Sequence, residues 1–294
     1  MAVLLEAIAV AHQPALAHHR GQPAQEIARH RPIFTDLHQQ AASLSGQGRW
    51  LVRMPRVLVA VALALAGLGM AAGPALASGP LYARGSIGYD SATYQCGLPA
   101  RGAFAVVAVT NGRPFTRNPC VAAELASAPG PPAVYMNTGY SPAYASKITP
   151  GCSARAAAVS GTAVQRQAYA IGCSEADTAR SNLYAATGKR VRTWWLDVET
   201  ANSWSDTNLL LNRAALRGAI DFLKARGAIL GLYSTSQQWT GVTGGWAAPG
   251  FDANWVAGAG SAAQAAAMCG SSITGAPVWL VQFVRQGLDA DRAC

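Results

Sequence analysis

The sequence predicts an α/β fold: a single TIM-like (β/α) barrel, which need not be regular, with three disulfides. Three observations support this prediction. Short, continuously apolar runs alternate with helical segments over about 200 residues, as in parallel strands covered on both faces. No dinucleotide glycine fingerprint or phosphate loop follows any run, which disfavours a doubly wound nucleotide-binding sheet. The six cysteines are an even number, as expected of a disulfide-bonded exported chain.

The apolar runs predict seven strands, at 86–90, 104–109, 133–136, 194–198, 229–233, 254–257 and 278–283. The clearest helix follows the fourth strand. Asp206 is predicted to cap it and Gly227 to end it, and apolar residues repeat along one face between them. A second helix is predicted to begin at a pattern similar to a capping box, at 174–177, and to end at Gly188.

The first 77 residues are predicted to lie outside the folded domain, which we place at 78–294. Residues 54–77 have a basic start, seventeen uncharged residues and an Ala-x-Ala site, the pattern of a secretory signal peptide. A membrane anchor is the alternative, because such a run is near the lower limit for spanning a bilayer. Residues 1–53 are interpreted as a disordered, over-extended leader; a genuine N-terminal tail is the alternative.

The charge balance favours an anionic partner outside the cell. Residues 78–294 contain 17 Lys and Arg and 11 Asp and Glu, a net charge of +6. A mildly basic secreted protein is attracted to anionic polymers, so cell-wall polysaccharide is the expected partner. The sequence has no clustered basic run, and nucleic acid is therefore not expected. We expect a monomer without stable membrane insertion once the signal is removed.

The cysteines and histidines together limit the chemistry. Sequential pairing is predicted because it closes three short loops, although six cysteines allow fifteen pairings: Cys96–Cys120, Cys152–Cys173 and Cys269–Cys294. Residues 78–294 contain no histidine and no Cys-x-x-Cys. A zinc site and a Ser-His-Asp or Cys-His centre are therefore not expected, and neither is any metal or cofactor. Acid–base catalysis would have to come from carboxylates.

One carboxylate pair stands out. In "TWWLDVE", Asp197 and Glu199 are two residues apart, so in a strand they lie on one face. Asp90 ends the first predicted strand and Asp289 follows the last, and the carboxyl ends of barrel strands meet at one mouth. Such a cluster raises the pKa of at least one member, and we expect Glu199 to be that acid. The alternative is that the pair forms structural ion pairs with arginines such as Arg190 or Arg192.

Several stretches resemble glycoside hydrolase family 25, the lysozyme-type muramidases. "GYDSATYQCG" at 88–97 is similar to the opening signature of that family, and "WWLDVE" at 194–199 is similar to its Trp-Leu-Asp-x-Glu motif. "FAVVAVTNG", "LGLYSTSQQW", "NWVAG" and "WLVQFVRQGLDAD" follow in the family's order. The resemblance implies a barrel that cleaves the β-1,4 bond after N-acetylmuramic acid in peptidoglycan. It implies Glu199 as proton donor, Asp197 as the neighbouring carboxylate, and Asp90 and Asp289 as the other site acids.

Polar and aromatic residues near the strand ends are predicted to bind the glycan: Tyr89, Asn111, Tyr135, Asn137, Tyr233, Trp255 and Gln282. Two departures bear on specificity. Asn111 stands where the family commonly has Glu, and Met136 and Asn137 replace its usual His-aromatic pair. The prediction is a secreted glycoside hydrolase. The alternatives are a glycan-binding module without catalysis and a structural wall protein, whose paired acids would point into the helical layer.

Overall fold

The computed structural model describes residues 80–91, 96 and 102–294. The predicted leader at 1–53 and the predicted signal at 54–77 lie outside the described residues, so both remain predictions. None of the described helices is long and apolar enough to cross a membrane.

The described strands form a closed barrel in the order of the chain. Neighbouring strands from β1 to β7 are parallel, and β8 is antiparallel to both β7 and β1. The predicted TIM-like barrel is confirmed, with one reversed strand. The eight strands are β1 Ile87–Ser91, β2 Ala105–Ala108, β3 Ala133–Asn137, β4 Thr193–Asp197, β5 Ile229–Ser234, β6 Ala253–Ala259, β7 Val278–Arg285 and β8 Leu288–Ala293.

The sequence did not predict β8, because its segment LDADRA is too polar to be taken for a covered strand. A two-residue turn connects it to β7. Gln286 and Gly287 both have positive φ, 54° and 75°, and Arg285 pairs with Leu288 across the turn. Turns with positive φ at both central positions match the twist of a hairpin. The reversal brings the beginning of β8, and not its end, to the carboxyl ends of β1–β7.

Six α-helices and two 3-10 helices, at Pro142–Lys147 and Met268–Gly270, surround the barrel in the described part of the chain. Glycines allow the two longest helices to approach closely. A Cβ atom on Gly172 would overlap the carbonyl oxygen of Ala215, and one on Gly218 would overlap that of Tyr169. The α-helices are α1 Val121–Ser127, α2 Pro150–Ala157, α3 Ala163–Thr187, α4 Leu209–Lys224, α5 Ser236–Thr243 and α6 Ala262–Ala267.

Both predicted helix starts were wrong. Helix α3 begins eleven residues before Ser174, where Thr162 and Gln165 form a capping box. Ser174 lies inside the helix, where the backbone N–H groups are used by the helix itself, so none is free for it to cap. Its hydroxyl donates instead to the carbonyl of Ala170 at 2.7 Å. The predicted end at Gly188 is confirmed, with φ of 64°.

Helix α4 is capped by Asn208, whose side-chain oxygen accepts from the N–H of Leu210, and not by Asp206. It ends at Lys224, and Gly227 lies in the following turn with φ of 74°.

Strand β4 shows how the barrel separates its interior from the helical layer. Trp195 packs inside the barrel with Trp255 and Trp279, whereas Trp194 and Leu196 pack against the helices. This alternation is the two-residue period of a strand. Asp197 is in phase with Trp195, so its side chain belongs to the barrel interior.

The sequential disulfide pairing is confirmed: Cys96–Cys120, Cys152–Cys173 and Cys269–Cys294. The second bridge fastens α2 to α3, and the third fastens the 3-10 helix after α6 to the end of β8. Such bridges are typical of proteins that fold in an oxidising compartment.

Candidate active site

Five carboxylates meet at the mouth formed by the carboxyl ends of β1–β7. Asp90 lies on β1, Asp197 ends β4, and Glu199 follows two residues later. The reversed strand β8 adds Asp289 near its start and Asp291 deeper in the barrel. The charge of Asp289 raises the pKa of Asp90 and of Glu199, and the charges of Glu199 and Asp90 raise the pKa of Asp197. The four predicted acids therefore lie close together.

Asp197 and Glu199 are neighbouring carboxyl groups, and each changes the pKa of the other. Asp197 is only 4% exposed, and burial, followed by the charges of Glu199 and Asp90, raises its pKa well above the usual range. Burial also raises the pKa of the half-buried Glu199. Because two like charges this close repel each other, the pair resists losing its last proton and titrates as a unit.

A chain of amide and hydroxyl groups orients Asp197. Asn137 Nδ2 donates to Asp197 Oδ2 at 2.5 Å, and Thr110 Oγ1 donates to Asn137 Oδ1 at 2.7 Å. The backbone N–H of Asn137 donates back to Thr110 Oγ1 at 2.9 Å. On the solvent side, Gln238 hydrogen-bonds to Glu199, which opposes the rise in its pKa, and Gln238 Oε1 accepts from the N–H of Thr200 at 2.7 Å. Both carboxyl groups are therefore fixed before any ligand arrives.

Asp90 and Asp291 form a second pair of neighbouring carboxyl groups, and each changes the pKa of the other. Burial, with the charge of Asp289, raises the pKa of Asp90 to about 7, although Gln282 Nε2 donates to it at 2.8 Å. Asp291 is fully buried and accepts from Trp255 Nε1 at 2.7 Å. Burial and the charge of Asp90 raise the pKa of Asp291 well above its usual range. This second pair therefore also holds a proton near neutral pH.

Sequence reasoning missed Asp291. The signal was present, because Asp289 and Asp291 have the same two-residue spacing as Asp197 and Glu199. Without β8, however, that spacing had no strand to place both residues on one face.

Five of the predicted glycan-binding residues lie at or below the acids: Tyr135, Asn137, Tyr233, Trp255 and Gln282. Tyr233 donates to Gln282 Oε1 at 2.8 Å, and Tyr135 donates to the carbonyl of Ser91 at 3.3 Å. Burial, then nearby carboxylates, raise the pKa of both tyrosines, so each hydroxyl keeps its proton. Trp255 is 1% exposed and forms the floor beneath Asp291, so it offers no open stacking face.

Two of the predicted residues are placed elsewhere. Tyr89 packs against the cluster outside the barrel, because it alternates with Asp90 along β1. Asn111 is exposed, and its backbone N–H donates to Thr116 Oγ1 at 2.7 Å. The preceding residue, Thr110, is the one whose side chain enters the network of Asp197.

Two alternative interpretations of the acid pair are wrong. Arg190 and Arg192 precede β4 and so lie at the opposite end of the barrel from the carboxylates. The two ion pairs found among the described residues are Arg217–Asp221 and Lys224–Asp252, and neither uses a mouth acid. The inward direction of Asp197 also contradicts a structural wall protein with its acids in the helical layer.

A groove of about 740 Å³ begins beside the acids. The loop after β4 forms one wall, from Thr200 to Asp206, and Tyr140 in the loop after β3 forms another. Hydroxyl, amide and aromatic groups line it, as expected for a neutral, hydroxyl-rich ligand. In the described part of the chain, no three acidic, cysteine or histidine side chains are arranged to hold a metal ion.

A protein-family model described as Lysozyme-like protein 1 matches residues 163–266. The predicted resemblance to lysozyme-type proteins is confirmed. The matched part of the chain contains Asp197 and Glu199, whereas Asp90, Asp289 and Asp291 lie outside it. No curated protein matches the chain.

Solved structures similar to this chain include the bacterial lysozyme from Streptomyces coelicolor. It has 17% identity and a TM-score of 0.43, over 72% of this chain and 93% of that chain. The modular Cpl-1 endolysin, solved with a peptidoglycan analogue, has 13% identity and a TM-score of 0.45, over 72% of this chain. This chain spans only 55% of the endolysin's length.

Proposed function

We propose that this protein is a secreted glycoside hydrolase of lysozyme type that cleaves cell-wall glycan, peptidoglycan or a related polymer, by carboxylate acid/base catalysis. The observation that carries the proposal is the convergence of two carboxyl pairs at one barrel mouth, Asp197 with Glu199 and Asp90 with Asp291, with pKa values raised by burial. Cleavage of a glycosidic bond needs one protonated and one ionised carboxyl near the reacting carbon. Each pair supplies one of each near neutral pH.

Glu199 is proposed as the general acid, because it is the member of its pair that lies nearer to solvent. Burial raises the pKa of both Asp197 and Glu199, so the pair retains a proton towards neutral pH. A bound sugar that excludes water from Glu199 would raise the pKa of Glu199 further and favour the proton on that residue. Glu199 then protonates the leaving glycosidic oxygen while the bond from C1 to that oxygen breaks.

Asp197, once ionised, lies where positive charge develops on the sugar ring. Asn137 keeps it oriented through the contact at 2.5 Å. It can stabilise the oxocarbenium ion directly, or it can orient an acetamido group of the substrate. Water supplies the hydroxyl group at C1, and its proton returns to the carboxyl pair. Both stereochemical outcomes are compatible with these roles.

Export is part of the proposal. We infer that residues 54–77 direct the chain out of the cell and that the active form begins at Ser78, because the three disulfides need an oxidising compartment. Mass analysis of the N-terminus of the native protein tests this. A peptide from residues 1–53 in that protein would contradict it.

The test of catalysis is the release of reducing ends from purified peptidoglycan. We expect Glu199→Gln to lower the rate by about 100-fold or more, because general acid catalysis contributes roughly 10²–10⁴-fold. Asp221→Asn is the matched control, since it also replaces one carboxylate by an amide. Asp221 lies on α4, accepts from Tyr169 at 3.1 Å and pairs with Arg217, away from the mouth. Its activity should stay within about twofold of the unmodified chain.

The glycan-binding module remains the second candidate, because Asn137, which donates to Asp197, stands where the resembled family has another residue. It predicts that neither the unmodified chain nor Glu199→Gln releases reducing ends, while both sediment with insoluble peptidoglycan. That result would contradict the hydrolase proposal and keep the same mouth as a binding site.

A further inference from the structure

A concave basic surface lies at the opposite end of the barrel from the acids. Two adjoining recesses, of about 310 and 160 Å³, share Arg180, Arg190, Val191 and Trp194 as lining residues. We call the two recesses together the basic cleft. Its cationic residues are Arg180, Lys189, Arg190, Arg192 and Arg226.

The topology places the basic cleft at the amino ends of the strands. Arg190 and Arg192 lie in the turn between α3 and β4, and Arg226 lies in the turn between α4 and β5. Both turns precede parallel strands, so they are at the end of the barrel away from Asp197. The basic cleft is therefore separate from the proposed active site.

The charges of the basic cleft have no acidic counterparts within it. No Asp or Glu lines either recess, and neither ion pair of the described residues uses one of the five cations. Arg226 is placed by its own helix, since its guanidinium lies 3.4 Å from the centre of the Phe222 ring and donates to the Phe222 carbonyl at 3.1 Å. Burial, then the charges of Arg155 and Arg180, lower the pKa of Arg226, whereas Asp177 opposes this.

Unpaired arginines in a concave surface favour an anion with more than one charge. The planar guanidinium group matches phosphate and carboxylate oxygens in a two-point contact. The larger recess is at the lower end of the about 300–1,000 Å³ typical of ligand sites, and the second recess continues from it. A ligand that repeats its charge along a chain would fill both recesses. Nucleic acid is less suited, because Tyr184 is the aromatic side chain at the rim and Arg190 already lies 5.7 Å over its ring.

We propose that the basic cleft binds a phosphodiester-linked polyol polymer, which would hold the protein on an anionic cell wall while the opposite end meets glycan. The choice of a wall polymer rests on the proposed function, whereas the anion site itself does not. Binding would be mainly electrostatic, so it should weaken as salt increases.

The test is the affinity of the full chain for a fluorescently labelled, synthetic glycerol-phosphate oligomer, measured by polarisation at two salt concentrations. We expect Arg190→Gln with Arg192→Gln to weaken binding roughly tenfold or more and to reduce the salt dependence. Both side chains are exposed, so the double variant should fold, which its circular dichroism and melting temperature check. Arg226 is left in place because it contacts Phe222.

Arg84→Gln is the matched control. Arg84 is also exposed and also precedes a strand, β1, but it does not line either recess. We expect its affinity to stay within about twofold of the unmodified chain. Equal weakening in the control and the double variant would overturn the proposal. Equally tight binding of a single-stranded DNA oligonucleotide or of polyglutamate would overturn the choice of ligand. Failure of the hydrolase assay would leave this binding result unaffected.

Discussion

The two ends of the barrel carry opposite charges in opposite environments. At the carboxyl ends of β1–β7, Asp197 and Asp291 are almost completely buried, and burial raises the pKa of each well above its usual range. At the amino ends, the exposed Arg190 and Arg192 extend into water. The acids are held by fixed donors such as Asn137, whereas the cations of the basic cleft have no acidic partner within it.

This difference separates two ways of using charge. Buried carboxyl groups cost free energy that the rest of the fold must offset, and their shifted pKa values suit proton transfer. Exposed cations cost little, and they attract distant anions without changing their own protonation. The mouth is therefore suited to proton transfer, and the opposite end of the barrel is suited to the attachment that we propose.

The largest effect should come from the deepest acid. We expect Asp291→Asn to lower kcat on peptidoglycan by about 100-fold, an order of magnitude typical of acid–base groups. The amide keeps a neutral hydrogen-bond donor beside Asp90 but cannot ionise, so the second carboxyl pair should lose one of its two titrations. The pH dependence of kcat should shift with it, and this is the readout that a purely structural role would not move.

Asp252→Asn provides a comparison for that variant. Asp252 accepts from Lys224 Nζ at 2.8 Å outside the mouth, so its loss should affect stability and not the pH profile. An Asp291→Asn protein with full activity and an unchanged profile would show that the second carboxyl pair has no part in the reaction.

A smaller effect is expected from an acid in the helical layer next to the mouth. Glu175 on α3 is 1% exposed and accepts from Thr138 Oγ1 at 2.7 Å. Burial raises its pKa to about 8. The folded chain therefore retains a proton that the unfolded chain loses near pH 4.5, and the free energy of unfolding should fall as pH rises towards 8.

The side chain of Gln in the Glu175→Gln variant cannot ionise. The free energy of unfolding of this variant should therefore not fall with rising pH for this reason. We expect the variant to be more stable than the unmodified chain at pH 9 by about 1–2 kcal/mol, or roughly 2–8 °C in melting temperature. Below pH 4.5 the two melting temperatures should agree closely. A variant that is less stable at pH 9 would show that Glu175 is stabilised as a carboxylate.

The sequence was sufficient to predict the barrel and the acids of β1 and β4. Continuous apolar runs gave seven strands because both faces of those strands are covered. The carboxylate spacing in "WWLDVE" placed Asp197 and Glu199 together because strand alternation is local. The disulfide pairing was also predictable, since each bridge closes a short loop.

The remaining features depend on contacts that are distant in the sequence. Asp291 became recognisable only when β8 reversed and paired with β1. Thr110, and not the adjacent Asn111, reaches Asn137 because the phase of β2 is fixed by its packing in the barrel. The basic cleft combines Arg190 and Arg192, which are close in the sequence, with Arg180 and Arg226 from other segments, so only the fold shows that they meet.

The most direct test of the account is the pH dependence of kcat/KM for peptidoglycan cleavage, with and without Asp197→Asn. We predict that the alkaline limb of the unmodified enzyme lies well above pH 4.5, because burial raises the pKa of both Asp197 and Glu199. In Asp197→Asn the amide removes a like charge and can donate to Glu199, so the limb should move to lower pH while the remaining rate falls. A limb near pH 4.5 in the unmodified enzyme, or one that Asp197→Asn leaves in place, would contradict a shared proton as the source of catalysis.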